Sequence, residues 1–496
     1  MPVSQSYRPA PRILELGEGF YDEVEPASFP RHTLRFRNQR WAERVGLGEL
    51  SEDEWIANFA RFEPLPDNIP KPLALRYHGH QFAVYNPSLG DGRGFLFAQM
   101  IEAAPDSGPS TKTNKSRRLL DLGTKGSGQT PYSRGGDGRL TLKGGVREIL
   151  ATEMLEALGV NTSKTFSLFE TGEPLQRGDE PSPTRSSVLV RLNHSHIRFG
   201  SFQRHAHLNH PERIQKLLDF SVSAYMPGLT WGAATPLPVA FLAEVTKRNA
   251  ELCASFMISG FVHGVLNTDN MNITGESFDY GPYRFSPTFD PSFTAAYFDH
   301  TGLYAFGRQP RTFIWNLMRL ADALRPICQD VALEPALREF QHAFRSAMRA
   351  ALLRRLGLAS QGFDLDGALL ESCFDFMAES KVGFDQFFFD WFAGPASVAR
   401  ALSGRAKDHY KGSRFDALRD LIGIFSPIRK DLLDDPYFQN DAPCSLLIDE
   451  IEAIWDAIGK RDDWSVFEAK IAAIRAMGAL YDKLAAPPAP ETTSTA

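Results

Sequence analysis

Residues 263–281 read HGVLNTDNMNITGESFDYG, and the reading of this stretch decides the fold. Asp269, Asn270 and Asp279 place two carboxylates and an amide close together, behind an apolar run that includes Phe256, Met257, Ile258, Phe261 and Val262. Carboxylate and amide oxygens are hard donors, the kind that Mg²⁺ takes alongside substrate phosphates. Asn-Thr-Asp-Asn is also good turn sequence, because Asn and Asp side chains bond neighbouring backbone and tolerate unusual φ. The wider chain has to separate the two readings.

In a protein kinase the metal ligands come from a loop H-R-D-x-x-x-x-N and a following D-F-G. His263 stands seven residues before Asn270, as the kinase His does. Five residues before Asn270, where the kinase's catalytic Asp belongs, the chain has Val265. The pattern therefore keeps the metal ligands and lacks the usual base, and Asp269 is the carboxylate next to the amide.

Upstream, Gly90, Gly92 and Gly94 alternate with Asp91 and Arg93 ahead of a strand-like run at 95–101. Closely spaced glycines let backbone N–H groups approach an anion, and Arg93 adds charge; a D-G hairpin turn is the competing reading. A second strand pattern at 119–124 ends at Lys125 and is followed by Gly-Ser-Gly and by Gly-Gly-Asp-Gly, which brings in Asp137 and Gly138. A helix is predicted over 146–158, with Ile149, Leu150, Met154, Leu155 and Leu158 on one face and Glu148 in its first turn. Strand, Lys, helix, Glu is the kinase order, in which the Lys binds phosphate and the Glu orients it; a surface ion pair is the alternative. Further strands are expected at 165–169 and 188–192, the latter leading into NHSHIRFGSF. Arg191 and Arg198 flank that turn, and two guanidinium groups suit a triphosphate.

Three H-x-H pairs, His78/His80, His194/His196 and His205/His207, invite a zinc reading. Two of them have Gly or Ser in between, and no Cys or Glu stands at ligand spacing, so zinc is not expected.

The chain has 496 residues, enough for two or three lobes. Its net charge of −6 and pI of about 6.1 argue against broad nucleic-acid binding. Four scattered cysteines with no C-x-x-C suggest a reducing compartment. No apolar segment near the N-terminus looks like a secretory signal, and none is as long as a membrane helix needs, so the expectation is cytoplasmic, with no membrane partner.

In order along the chain, residues 1–72 are mixed, with a capped helix at 52–61, and are expected to wrap a lobe. Residues 104–115 read as a surface loop with solvated Lys112 and Lys115. Helices are predicted at 213–225, 239–261, 312–324, 335–356, 384–392, 414–424, 445–458 and 465–484. Phe384, Phe387, Phe388, Trp391 and Phe392 form a stripe that points to a buried helix. Residues 282–310 are aromatic and irregular, in the place of an activation segment. The tail 485–496 is Pro/Thr/Ala-rich and expected to be disordered.

HGHQF, LGDGRG, GTKGSGQTPYSRGGDGR with its VREIL helix, SHIRFGSF, and HGVLNTDNMNITG with FDYGP together resemble the selenoprotein-O-like family of pseudokinase-fold protein adenylyltransferases. The matching text runs from about Arg76 to Arg308 and fades past Gly383; the last cysteine is Cys444. The resemblance implies an α+β, protein-kinase-like fold of two lobes, β-rich then helical, with an extra C-terminal helical region. The divisions would be 1–75 (N-terminal extension), 76–205 (nucleotide-binding lobe), 206–395 (helical lobe with the catalytic and metal loop), 396–484 (C-terminal helices) and 485–496 (tail). It implies that Gly90, Gly92 and Arg93 cover the nucleotide. Lys125 would bind phosphate with Glu148 holding it, and Asp137, Gly138, Arg191 and Arg198 would touch ATP. Asp269 would accept the proton, while Asn270 and Asp279 would hold Mg²⁺ or Mn²⁺.

The activity expected is Mg²⁺-dependent transfer of AMP from ATP to Ser, Thr or Tyr hydroxyls of proteins, with pyrophosphate leaving. The alternatives are an atypical kinase, a nucleotide-binding pseudokinase scaffold, and UMP transfer from UTP.

Overall fold

The computed structural model describes residues 3–103, 117–178, 180–328 and 332–485. The loop expected at 104–115 lies outside them, as does the expected tail apart from Ala485. The fold is α+β, β-rich in its N-terminal part and helical in its C-terminal part.

An eight-stranded antiparallel sheet organises the first part. Its order is Tyr21–Glu23, Leu73–Leu75, Leu96–Ile101, Leu119–Lys125, Thr184–Asn193, Lys164–Leu175 and Thr33–Arg37, with Leu140–Thr141 paired to Thr184–Asn193. In its register Leu189 stands opposite Lys125 and Arg191 opposite Gly123. Residues directly opposite share a face, so Lys125 and Arg191 project from the same side of adjacent strands. On the other side Leu120, Leu122, Val188, Val190 and Leu192 meet Trp41, Trp55, Phe59 and Phe62 from the N-terminal stretch. That stretch wraps the sheet, as expected, and it also supplies both outer strands, so the sheet crosses the division drawn at residue 75. Strands of three and five residues are too short to register as a period in sequence. The Glu52–Phe59 helix opens on the expected capping box of Ser51 and Glu54.

The helix predicted over 146–158 spans Leu142–Ala157, capped by Thr141, whose hydroxyl accepts from Gly144 N. Gly144 and Gly145 lie before the predicted start. They are helical because the helix lies tight on the sheet: a Cβ on Gly145 would stand 2.4 Å from Leu168 Cδ1. After Thr184–Asn193 comes a helix that was not predicted, Phe199–His207, with Arg198 at its N-cap; its Gly200 approaches the His78 carbonyl closely.

The long helix expected at 239–261 is Leu237–Ile258. Gly260, left-handed at φ +65°, ends it, and Phe261–Val262 then pairs with Arg284–Phe285. This small ladder clasps the two ends of the 263–281 loop. Beyond it run Gln309–Leu324, Glu334–Leu356, Phe384–Asp390, Ser413–Ile422, Ile448–Arg461 and Ser465–Asp482, each within a few residues of prediction. Phe363–Ser380 was not foreseen. The 384–392 aromatic stripe is buried throughout.

The last two long helices return to the sheet. Ser465–Asp482 packs on Leu142–Ala157, where Arg475 grips Glu153 at 2.7 and 2.8 Å and a Cβ on Gly478 would stand 3.1 Å from Ala157 Cα. Lys143 pairs with Glu452 at 2.7 Å. Gly478→Val should force these helices apart and cost about 1–3 kcal/mol, read as a lower melting temperature. An unchanged melting temperature would show that the contact is not close. No helix among the described residues is long and apolar enough to cross a membrane.

Candidate active site

Within the clasped loop, Thr268–Asn270 forms a single 3-10 turn. Asn270 Nδ2 donates to the Val265 carbonyl at 2.9 Å. A carbonyl only accepts, so the amide nitrogen is committed there and Asn270 Oδ1 is the atom left for a ligand. His263 is buried; its Nε2 bonds the Phe278 carbonyl at 3.1 Å and its backbone N–H donates to Gln309. Burial lowers the pKa of this imidazole, and because a carbonyl only accepts, Nε2 carries a hydrogen. His263 thus ties the loop to the residue before Asp279. Asp279 itself is left-handed at φ +66°, a conformation Asp tolerates better than most residues.

Around this loop opens a cleft of about 720 Å³. Lys125, Arg191 and Arg198 lie deep in it, each with under a tenth of its side chain exposed. Asp269, Asn270 and Asp279 line the same cleft, as do Gly90, Gly92 and Arg93. Asp137 and Gly138 stand at its mouth, where Asp137 is half-exposed and paired with Arg177 at 2.8 Å. Glu148 sits behind Lys125, its carboxylate 2.6 Å from Nζ. The cleft is therefore a shared one for every residue singled out in sequence, with Glu148 in support.

The glycines are required by close approach. A Cβ on Gly90 would fall 2.3 Å from the Tyr132 ring, and one on Gly92 would fall 2.7 Å from the Tyr132 carbonyl. The 90–94 loop therefore lies against the 130–134 turn, and no hairpin joins paired strands there.

Charge is concentrated here. The lining carries seven Lys or Arg side chains against four Asp, in a chain whose net charge is −6. Asp279 lies 2.7 Å from Lys125 Nζ, 3.4 Å from Arg191 Nη1 and 4.0 Å from Arg198 Nη1. Burial works against its ionisation, but Lys125, Arg191, Arg198 and Arg93 outweigh it and hold the carboxyl well below the usual range. Asp269 has the opposite balance. Burial pushes its carboxyl up to about 6, with Arg198 pulling it down and Asp279 pushing it further up. Two nearby carboxyls thus differ, one firmly ionised and one closer to neutrality.

Several contributors were not singled out in sequence. Asp91 accepts from Arg198 at 3.2 Å and from Leu75 N–H, and Arg198 donates to the Asp269 carbonyl at 2.8 Å. The Phe278 ring faces both guanidinium groups, at 5.3 Å from Arg191 and 4.7 Å from Arg198, and Tyr77 lies under Arg198 at 4.3 Å. Asp91 was legible as the acid inside the glycine triplet; nothing local marked Tyr77 or Phe278. Arg191 keeps Nε and Nη1 buried without a hydrogen-bond partner, and Arg198 keeps Nε so. Such donors are costly to bury unless something accepts from them.

Among the described residues no three His, Cys, Asp or Glu side chains converge to hold a metal. His78 gives its ring nitrogens to Tyr85 and Arg204, and His196 gives one to Asp121. Asn270 and Asp279 could offer one amide and one carboxylate oxygen, hard donors of the kind that Mg²⁺ takes alongside phosphates.

The family described as protein adenylyltransferase SelO matches residues 3–475. The chain belongs to the SelO family. The protein nucleotidyltransferase YdiU of Trichormus variabilis is 42% identical to it over 495 residues, covering 96% of this chain and 97% of that one. That of Gloeobacter violaceus is 43% identical with 94% of each chain covered, and that of Vibrio cholerae is 36% identical over 76% of this chain and 73% of its own. SelO likeness, legible in motifs to about Arg308 and fading past Gly383, in fact runs to residue 475. The C-terminal helices have apolar stripes that many sequences satisfy, and no motif there stands out.

Proposed function

We propose that this SelO-family nucleotidyltransferase moves AMP from ATP to a Ser, Thr or Tyr hydroxyl of a protein. The observation that carries the reading is Arg191, which lines the cleft with Lys125 and Arg198; among the described residues its Nε has no protein acceptor, and its Nη1 has only the ion-pair contacts to Asp279 at 3.4 Å and Glu148 at 3.8 Å. A polyphosphate supplies the missing acceptors. Lys125 and Arg198 flank it with further positive charge, and Phe278 keeps both arginines in place.

In the reaction the hydroxyl oxygen bonds to the α-phosphorus and the bond from that phosphorus to the bridging oxygen breaks. The electron pair leaves on pyrophosphate, held by Lys125, Arg191 and Arg198. The hydroxyl proton passes to Asp269, whose Oδ1 is buried with no protein partner. The free amide oxygen of Asn270 and the ionised Asp279 fit a hard divalent cation, Mg²⁺ or Mn²⁺, and would hold it. When bound, such an ion would supply positive charge to offset that of the phosphates. Gly90, Gly92 and Arg93 would cover the nucleotide, with Asp137 and Gly138 at the outer end.

The β-rich part and the helical part would then act as the two lobes of a kinase-like fold, divided near residues 75, 205 and 395. Val265 at the kinase base position favours AMP transfer over γ-phosphoryl transfer. ATP labelled at the α or the γ position separates them. Label should reach protein from the α position only, with a mass gain of one adenylyl group, and label arriving only from γ would refute the proposal. UTP in a parallel reaction tests the alternative nucleotide.

A further inference from the structure

The HGHQF segment forms a hairpin that lies on the candidate base. Gly79–Gln81 pairs with Val84–Asn86 around a two-residue turn in which Phe82 and Ala83 are both left-handed, at φ +50° and +63°. Such a turn normally takes Asn-Gly, so the hairpin is held from outside. Phe82 N–H donates to Asn267 Oδ1 at 3.2 Å and to Tyr304 OH at 3.1 Å, and His80 N–H donates to Thr268 Oγ1 at 2.7 Å. The hairpin is stitched to the residues on the N-terminal side of Asp269. Gly79, lacking a side chain, lets Asp269 approach: a Cβ there would stand 3.1 Å from both Asp269 Cβ and Oδ1.

Gln81 and Val84 are cross-strand partners, and Asn86 shares their face by alternation. On that face three polar groups form a relay whose direction chemistry dictates. Ser88 N–H can only donate, and it donates to Asn86 Oδ1 at 3.0 Å. Asn86 Nδ2 is therefore the free end, and it donates to Gln81 Oε1 at 3.1 Å. Gln81 Nε2 is left to face Asp269 Oδ2, at 3.5 Å. Catalytic contacts are often this long before substrate tightens them. The outcome is an asymmetric carboxylate: Oδ2 has a protein donor, and Oδ1 has none.

We propose that Gln81 is a positioning residue for transfer: oriented by Asn86, it fixes the orientation in which the Asp269 carboxylate meets the acceptor hydroxyl. The proposal rests on the AMP-transfer reading above. Gln81 lines the cleft, and its role in the proposal is exerted through Asp269. A neutral donor suits the task, because a cation there would tie up the carboxylate as an ion pair.

The test is a double-mutant cycle on the full-length chain with ATP, Mg²⁺ and a protein acceptor. Gln81→Met keeps the length of the side chain and removes the donor. It should lower kcat on the order of tenfold and leave KM for ATP within about twofold of the unchanged chain. Gln81→Glu, which turns a donor into an acceptor, should fall at least as far. In an Asp269→Asn background, Gln81→Met should cause no further loss, because the group it aims is gone. A merely structural role predicts the same loss in both backgrounds, and that result would overturn the proposal. So would a Gln81→Met enzyme with unchanged kcat. If the unchanged chain transfers no AMP, the reading of function falls and the positioning role falls with it; transfer at equal rates by both overturns the role alone.

Discussion

Asp279→Ala is expected to reduce AMP transfer by a thousandfold or more, on the order of what loss of a preorganised electrostatic group costs, while the protein stays folded. The substitution removes the only carboxylate of the proposed metal pair and the group that neutralises Lys125 and Arg191 at 2.7 and 3.4 Å. The fold survives because Lys125 keeps Glu148 at 2.6 Å and because the clasp of Phe261–Val262 with Arg284–Phe285 does not involve the side chain. Backbone strain adds little: Ala at φ +66° costs about 1–2 kcal/mol. Asp279→Asn, which tolerates that conformation, controls for it. Automodification with α-labelled ATP and a melting curve measure both halves of the expectation. Undiminished automodification by the Ala variant would remove the metal assignment.

The second large effect separates stability from activity at Lys125. This residue is buried between Glu148 and Asp279. Lys125→Met leaves Glu148 in the interior with Arg191, at 3.8 Å, as its remaining ion-pair partner among the described residues, and breaking a buried pair in this way costs about 3–5 kcal/mol. Transfer should be lost as well, since the cation proposed to bind phosphate is gone. Adding Glu148→Gln removes the stranded charge, so the double variant should melt several degrees above Lys125→Met and still transfer nothing. Recovery of activity along with stability would show that Lys125 serves the fold and not the nucleotide.

What sequence could and could not reveal follows from the length scale of each signal. Lys125, Glu148, Asn270 and Asp279 were legible because each stands at a punctuated place: a strand end, a first helical turn, a loop between an apolar run and an Asp-Tyr-Gly. The Leu142–Ala157 helix was found, but its start was not, because two glycines needed for close packing on the sheet look like a loop in isolation. The outer strands at Tyr21–Glu23 and Thr33–Arg37 have too few residues for a period, and only their partners at Leu73–Leu75 and Lys164–Leu175 define them. Tyr77 and Phe278 belong to the site through the arginines they face, a relation between distant positions that no local pattern contains. The hairpin over Asp269 is written in sequence as HGHQF, but the face that Gln81 and Asn86 share exists only once the two short strands pair.

The helix that carries Glu148 is gripped from two directions, by the sheet beneath and by Ser465–Asp482 above, through Arg475 on Glu153 and the bare backbone at Gly478. An element so wedged is not free to swing, so the acid reaches its lysine before any substrate arrives. The disorder that a mobile helix would surrender at each encounter is here given up once, when the chain folds. The Lys125–Glu148 pair is thereby set at rest, its geometry held from the far end of the polypeptide without any group entering the cleft.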